Sequence, residues 1–151
     1  MPLLMTKAHF DTMDLALTLL DRHGIGDEWS FEFDRAKTRL GCCRYNERLI
    51  TLSAHFIAAR TTTMEKIQDT ILHEIAHALV GHANGHNRVW QRKAIEIGAR
   101  PARCGQAFHE QPSYVMVCPK CTLKVGFHRK VKRIYVCKRC PSRPRLLSVG
   151  Q

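Results

Sequence analysis

Residues 73–77 read His-Glu-Ile-Ala-His, and few five-residue stretches restrict a chain more. On an α-helix, residues four apart lie about 40° apart around the axis, so both imidazoles can face one metal from adjacent turns. Neutral imidazole suits zinc. Glu74 projects to the side of that site, where it can take a proton from a water whose pKa zinc brings to about 7. Attack of that water on a polarised peptide carbonyl is the implied chemistry. The flanks, Thr70-Ile71-Leu72 and Ile75 to Val80, are largely apolar. Ionisable groups on a buried helix need partners, and a metal satisfies them together.

A catalytic zinc takes a third protein ligand. The pattern HExxHxxGxxH fails, because Val80 and Ala83 stand at its glycine and third histidine. His82 lies about 140° around a continued helix from His77 and points away. Two residues are left. Glu96 lies at a spacing from His77 that resembles gluzincin peptidases. His86 follows Gly85, where the chain can turn back toward the metal, and precedes Trp90 by one helical turn, so the tryptophan can pack beneath it.

The surrounding pattern predicts an α+β fold. A helix is expected over 8–23, with Met13, Ala16, Leu17 and Leu20 inward and Gly24 ending it. Residues 29–34, 40–45 and 48–53 read as three strands with short connections, forming a small, mainly antiparallel sheet. The metal helix is expected to start at the capping box Thr62-x-x-Glu65 and to bury Ile67, Ile71, Ile75 and Leu79. A last helix ends near Ile97, with Trp90, Ala94 and Ile97 inward. Residues 99–113 read as a linker. The expected division is a metal-site domain at 1–110 and a small β module at 111–151.

The stretch from His73 to Pro101 resembles the SprT-like metalloprotease domain, the family that includes Spartan-type proteases. Its pattern is HExxH, a variable loop, then Gly-His-x-x-x-Trp, matched here by Gly85-His86 and Trp90. The upstream strands at Phe31–Asp34, Leu40–Tyr45 and Ile50–Ser53 are also similar to the family. The resemblance covers roughly residues 8–140. It implies His73, His77 and His86 as ligands of a catalytic zinc and Glu74 as the base. The loop from His77 to His86 is shorter than in Spartan-type members. Tyr45 and His82 are candidates for stabilising the oxyanion.

The second module rests on Cys118-Pro-Lys-Cys121 and, fifteen residues on, Cys137-Lys-Arg-Cys140. Two CxxC pairs at this separation are the spacing of a zinc ribbon, and four thiolates close a tetrahedral structural zinc. With so few apolar residues the module needs its metal to fold. Strands are expected at 115–117, 123–127 and 134–136. Cys42, Cys43 and Cys104 read as buried or free thiols, and His9, His23, His55 and His109 as ordinary surface or structural histidines.

Charge partitions sharply between the modules. Residues 1–110 hold 14 Lys and Arg against 13 Asp and Glu, whereas residues 111–151 hold 10 and no acid. A near-neutral body with a basic module points to a polyanionic partner, most simply nucleic acid; the Spartan-type resemblance implies DNA, single-stranded or damaged. Lys120, Lys124, Arg129, Lys130, Lys132, Arg133, Lys138 and Arg139 are the candidate phosphate contacts. Phe127, His128 and Tyr135 lie between them; such aromatics can stack on unpaired bases, or Phe127 and Tyr135 can form the module's own small core.

No apolar run approaches the roughly 20 residues of a membrane span, and the N-terminus has no secretory pattern. An intracellular location is expected, nucleoid-associated in a bacterium or phage and nuclear in a eukaryote. Two functions follow. One is a zinc endopeptidase acting on DNA-associated or DNA-crosslinked proteins, which the Spartan-type resemblance implies. The other is a nucleic-acid-binding or transcription-associated zinc protein whose protease-like domain is not proteolytic.

Overall fold

Residues 4–101, 112, 114–127, 129–133 and 135–149 are described by a computed structural model. The chain divides into two units, Met1–Phe108 and His109–Gln151. Cys104, His109, His128 and Ile134, with most of the expected linker, lie outside the described residues. Among the described residues, no helix is long and apolar enough to cross a membrane.

The first unit is α+β. Its elements are α1 (Lys7–Arg22), β1 (Ser30–Asp34), β2 (Gly41–Arg44), β3 (Leu49–Ser53), α2 (Ala54–Ala58), α3 (Met64–Val80), a 3-10 turn at His82–Asn84 and α4 (Arg88–Glu96). The sheet order is β1-β3-β2, with β2 antiparallel and β1 parallel to β3. The sheet is therefore mixed rather than mainly antiparallel. The chain does reverse direction at each connection, but β1 pairs with β3, not with its sequence neighbour. Every residue of β3 is buried, which suits the central position, and the hairpin already places β2 on one of its edges.

Two polar side chains of this unit, Asp34 and His9, are matched. Asp34 on β1 accepts from Thr51 Oγ1 at 2.7 Å, from Arg39 Nη1 at 2.6 Å and from the Ala36 backbone N–H at 2.9 Å. Burial pushes its carboxyl upward, but these hydrogen bonds and the Arg39 charge outweigh burial and hold it below the ordinary carboxylate range. His9 is not a surface residue: it is 1% exposed. Its Nδ1 accepts from the Thr6 N–H that caps α1, and its Nε2 lies 3.3 Å from the Ala54 carbonyl. The inner face of α1 is His9, Thr12, Ala16, Leu19 and Leu20. Leu17, expected inside, is on the outer side.

The second unit is a sheet of order β5-β4-β6, with β4 at Tyr114–Val117, β5 at Lys124–Phe127 and β6 at Arg145–Ser148. Both pairings are antiparallel. The strand expected at 134–136 does not form at Tyr135 and Val136. Its place beside β4 is taken by β6, which sets Leu146 opposite the buried Met116.

Candidate metal centre and its surroundings

Helix α3 starts one residue later than the sequence predicts. Thr63 is the N-cap, accepting from the Lys66 N–H at 3.3 Å, because the Thr62 hydroxyl is spent on the Phe56 carbonyl at 2.6 Å. Ile67, Ile71 and Ile75 anchor the helix in the core. It ends at Gly81, whose φ of +85° is costly for any residue with a Cβ. The 3-10 turn follows, then Gly85 at φ +46°. Asn87 caps α4, accepting from the Val89 and Trp90 N–H groups. Two left-handed glycines and one cap thus fold the chain back on itself within a few residues.

That reversal places His86 over α3. Its Nε2 lies 3.0 Å from His73 Nε2 and 3.1 Å from His77 Nε2. Trp90, fully buried, floors the site: its ring centroid is 4.6 Å from those of His73 and His86 and 5.2 Å from that of His77. Its indole N–H points at the His73 carbonyl, 3.4 Å away. Glu96 sits apart, on the exposed side of α4, where Lys93 holds its carboxylate at 2.8 Å.

The arrangement fits a cation. Three imidazole nitrogens converge, and a single proton between any two leaves the third unmatched, whereas one metal accepts a lone pair from each. His77 Nδ1, buried, has no hydrogen-bond partner. Burial lowers His73 to about 3 and His77 to about 4, helped by the neighbouring histidines. Both rings are therefore in the neutral, ligating form at physiological pH.

Glu74 is 4% exposed. Burial pushes its carboxyl up to about 8, against the pull of the Arg39 guanidinium. A cation held by the histidines favours the ionised form. A glycine of the neighbouring strand makes room for it. A Cβ on Gly41 of β2 would stand 3.0 Å from Glu74 Oε1, 3.1 Å from its Cγ and 3.1 Å from the Thr51 carbonyl oxygen. Gly41→Ala is expected to displace Glu74, lowering activity more than stability, with an overpacking penalty of about 1–3 kcal/mol. Parallel measurements of turnover and thermal unfolding check this.

These shifts also set how metal-free protein responds to pH. Unfolding returns both histidines to about 6.5. The unfolded chain then binds more protons between about pH 4 and 6.5, so stability rises with pH across that window. Glu74 acts oppositely, because the native state keeps its proton up to about pH 8 while the unfolded state loses it near 4.5. Two histidines outweigh one carboxyl below 6.5, and above it the carboxyl acts alone. Melting of chelator-treated protein is expected to peak near pH 6.5. A Tm that climbs steadily from pH 6.5 to 8 would contradict these assignments.

In the second unit the sulfurs of Cys118, Cys121, Cys137 and Cys140 all lie within 4.8 Å of one another. Cys118 and Cys140 approach to 3.4 Å, as do Cys121 and Cys137. Ser142, unmarked in the sequence, sets its hydroxyl 3.0 Å from Cys118 Sγ and is the main reason that thiol is lowered to about 5. The eight candidate phosphate contacts, from Lys120 to Arg139, are all exposed. Phe127 and Tyr135 pack at 5.8 Å and help line an apolar cavity of about 410 Å³. They thus pack on each other while Tyr135 stays 40% exposed.

The family model described as the SprT-like family matches residues 10–110. No curated protein matches the chain. Among solved structures, the chain is similar to the metallopeptidase zymogen of Pyrococcus abyssi abylysin, at 18% identity and a TM-score of 0.48. That match covers 58% of this chain and 78% of the other.

Proposed function

The chain belongs to the SprT-like family, and from that premise we propose that it is a zinc-dependent endopeptidase acting on DNA-associated or DNA-crosslinked proteins. The observation that carries the proposal is the convergence of His73, His77 and His86 at 3.0 and 3.1 Å, with the buried Glu74 in the same turn of α3. Catalytic zinc would be held by those three histidines, and a structural zinc by Cys118, Cys121, Cys137 and Cys140. When bound, catalytic zinc supplies Lewis acidity that polarises the scissile carbonyl and acidifies water.

The chain's own groups do the rest. Glu74 takes a proton from the attacking water at a carboxylate oxygen and delivers it to the leaving amine nitrogen. Its burial keeps bulk water from competing for that proton. Trp90 fixes the imidazoles by packing against all three rings. The basic four-cysteine unit, which has no acidic residue from 111 to 151, binds the phosphate backbone of DNA. The apolar cavity beside Phe127 and Tyr135 supports contact with unpaired bases.

The test is cleavage of casein, and self-cleavage, by zinc-loaded protein with and without single-stranded DNA. Cleavage is expected in wild type alone and not in Glu74→Gln. DNA is expected to raise it, and that rise should be lost near 200 mM salt, since several phosphate contacts weaken by orders of magnitude there. Salt-sensitive DNA binding without cleavage would favour the non-proteolytic reading. Cleavage indifferent to DNA would remove the role given to the basic unit.

A further inference from the structure

Tyr45 opens the turn between β2 and β3, and two rings hold it. Trp29 meets it edge-on at 6.3 Å between centroids, and His82 at 5.2 Å. Strand residues alternate between faces, so Gly41 and Cys43 share one side of β2, and Tyr45 follows at the end of that strand. Gly41 abuts Glu74, which identifies that side as the one turned to α3. The Glu74 charge reaches both Cys43 and Tyr45. His82 closes the arrangement from the turn that follows α3.

A cavity of about 530 Å³ opens between these two turns, lined by Cys43, Arg44, Tyr45, Asn46, Glu47 and His82. Arg44 and Glu47 engage each other at 3.3 Å. The Tyr45 hydroxyl and the Cys43 thiol lie close enough to shift one another. Burial, with the charges of Cys43 and Glu74, pushes the phenol up to about 12, so it keeps its proton at any working pH. A protonated donor that lines an open cavity, against the turn joining His77 to His86, is poised to bond an acceptor entering it.

We propose that Tyr45 is a catalytic residue, donating a hydrogen bond to the carbonyl oxygen of the scissile peptide while Trp29 and His82 fix its ring. This rests on the endopeptidase reading. The bond strengthens as negative charge grows on that oxygen, so it acts on turnover more than on substrate binding.

The experiment compares zinc-loaded full-length wild type, Tyr45→Phe and Glu74→Gln. Casein turnover is measured alongside the affinity for an alanine tripeptide whose first peptide bond is replaced by a phosphinic group, a mimic of the tetrahedral state. Tyr45→Phe removes one oxygen and keeps both ring contacts, and unchanged zinc content and Tm would show an intact fold. It is expected to lower kcat by about 100-fold with KM within about twofold, and to weaken phosphinic binding by about tenfold or more. Wild-type kcat and phosphinic affinity in Tyr45→Phe, beside an inactive Glu74→Gln, would overturn the role and leave the endopeptidase standing. A rise in KM alone would overturn the catalytic assignment. Casein cleavage that is absent or indifferent to Glu74→Gln would overturn the endopeptidase reading and this inference with it.

Discussion

Replacing Glu74 with glutamine is expected to leave the fold and the bound metal in place and to lower peptide cleavage by about 10²–10⁴-fold, the range for loss of a general base. Glutamine matches the carboxylate in size, so the contact with Gly41 survives. None of the three converging imidazole nitrogens belongs to residue 74, so zinc content should stay the same. Metal-free protein should also gain stability above pH 6.5. There the native carboxyl, pushed up to about 8 by burial, makes folding less favourable as pH rises, and a neutral amide removes that dependence. Turnover, metal content and Tm against pH give three readings on one variant. Loss of activity together with loss of metal would mean that residue 74 supports the site structurally.

Trp90→Ala is expected to have the largest effect on stability. Trp90 is fully buried within the core of the first unit, and truncating such a ring costs about 3–5 kcal/mol. In a unit of this size that is a drop in Tm of well over roughly 10 °C. The same change removes the floor under His73, His77 and His86 and frees their rings to turn. Zinc affinity should therefore fall even at temperatures where the variant is folded. Thermal unfolding and competition with a chromophoric chelator separate the two effects. Trp90→Phe, which keeps an aromatic floor but loses the N–H directed at the His73 carbonyl, should retain most of the affinity.

Legibility in the sequence followed distance along the chain. The stripe Ile67, Ile71, Ile75, the reversal at Gly85 and the tryptophan beneath His86 are all encoded within one stretch, so periodicity and spacing reveal them. The N-cap shifted from Thr62 to Thr63 because Thr61, Thr62 and Thr63 offer three adjacent hydroxyls, and the choice between them is made by α2. That helix itself went unread because β3 runs directly into its cap, Ser53. Gly41 and Arg39 around Glu74, and His9 under Ala54, are placed by chain pairing across the fold, which no local pattern encodes. In the basic unit, Leu146 and Leu147 form a strand at β6 because β4 has a free edge there, while Tyr135 and Val136 lie beside the second cysteine knuckle. The parallel pairing of β1 with β3 is invisible for the same reason: direction is written locally, neighbours are not.

One consequence of the glycine-built reversal concerns the order in which the chain folds. His73, His77, His86 and Trp90 are close neighbours along the chain, so bringing the three imidazoles together closes only a short loop and loses little chain entropy. Seating Glu74 against Gly41 requires β2 to join β3 and to dock on α3, contacts of much longer range that form more slowly. On the endopeptidase reading, a folding chain would therefore capture its cation before Glu74 reached its working position, and the sheet, not the metal, would set the moment at which the site becomes competent.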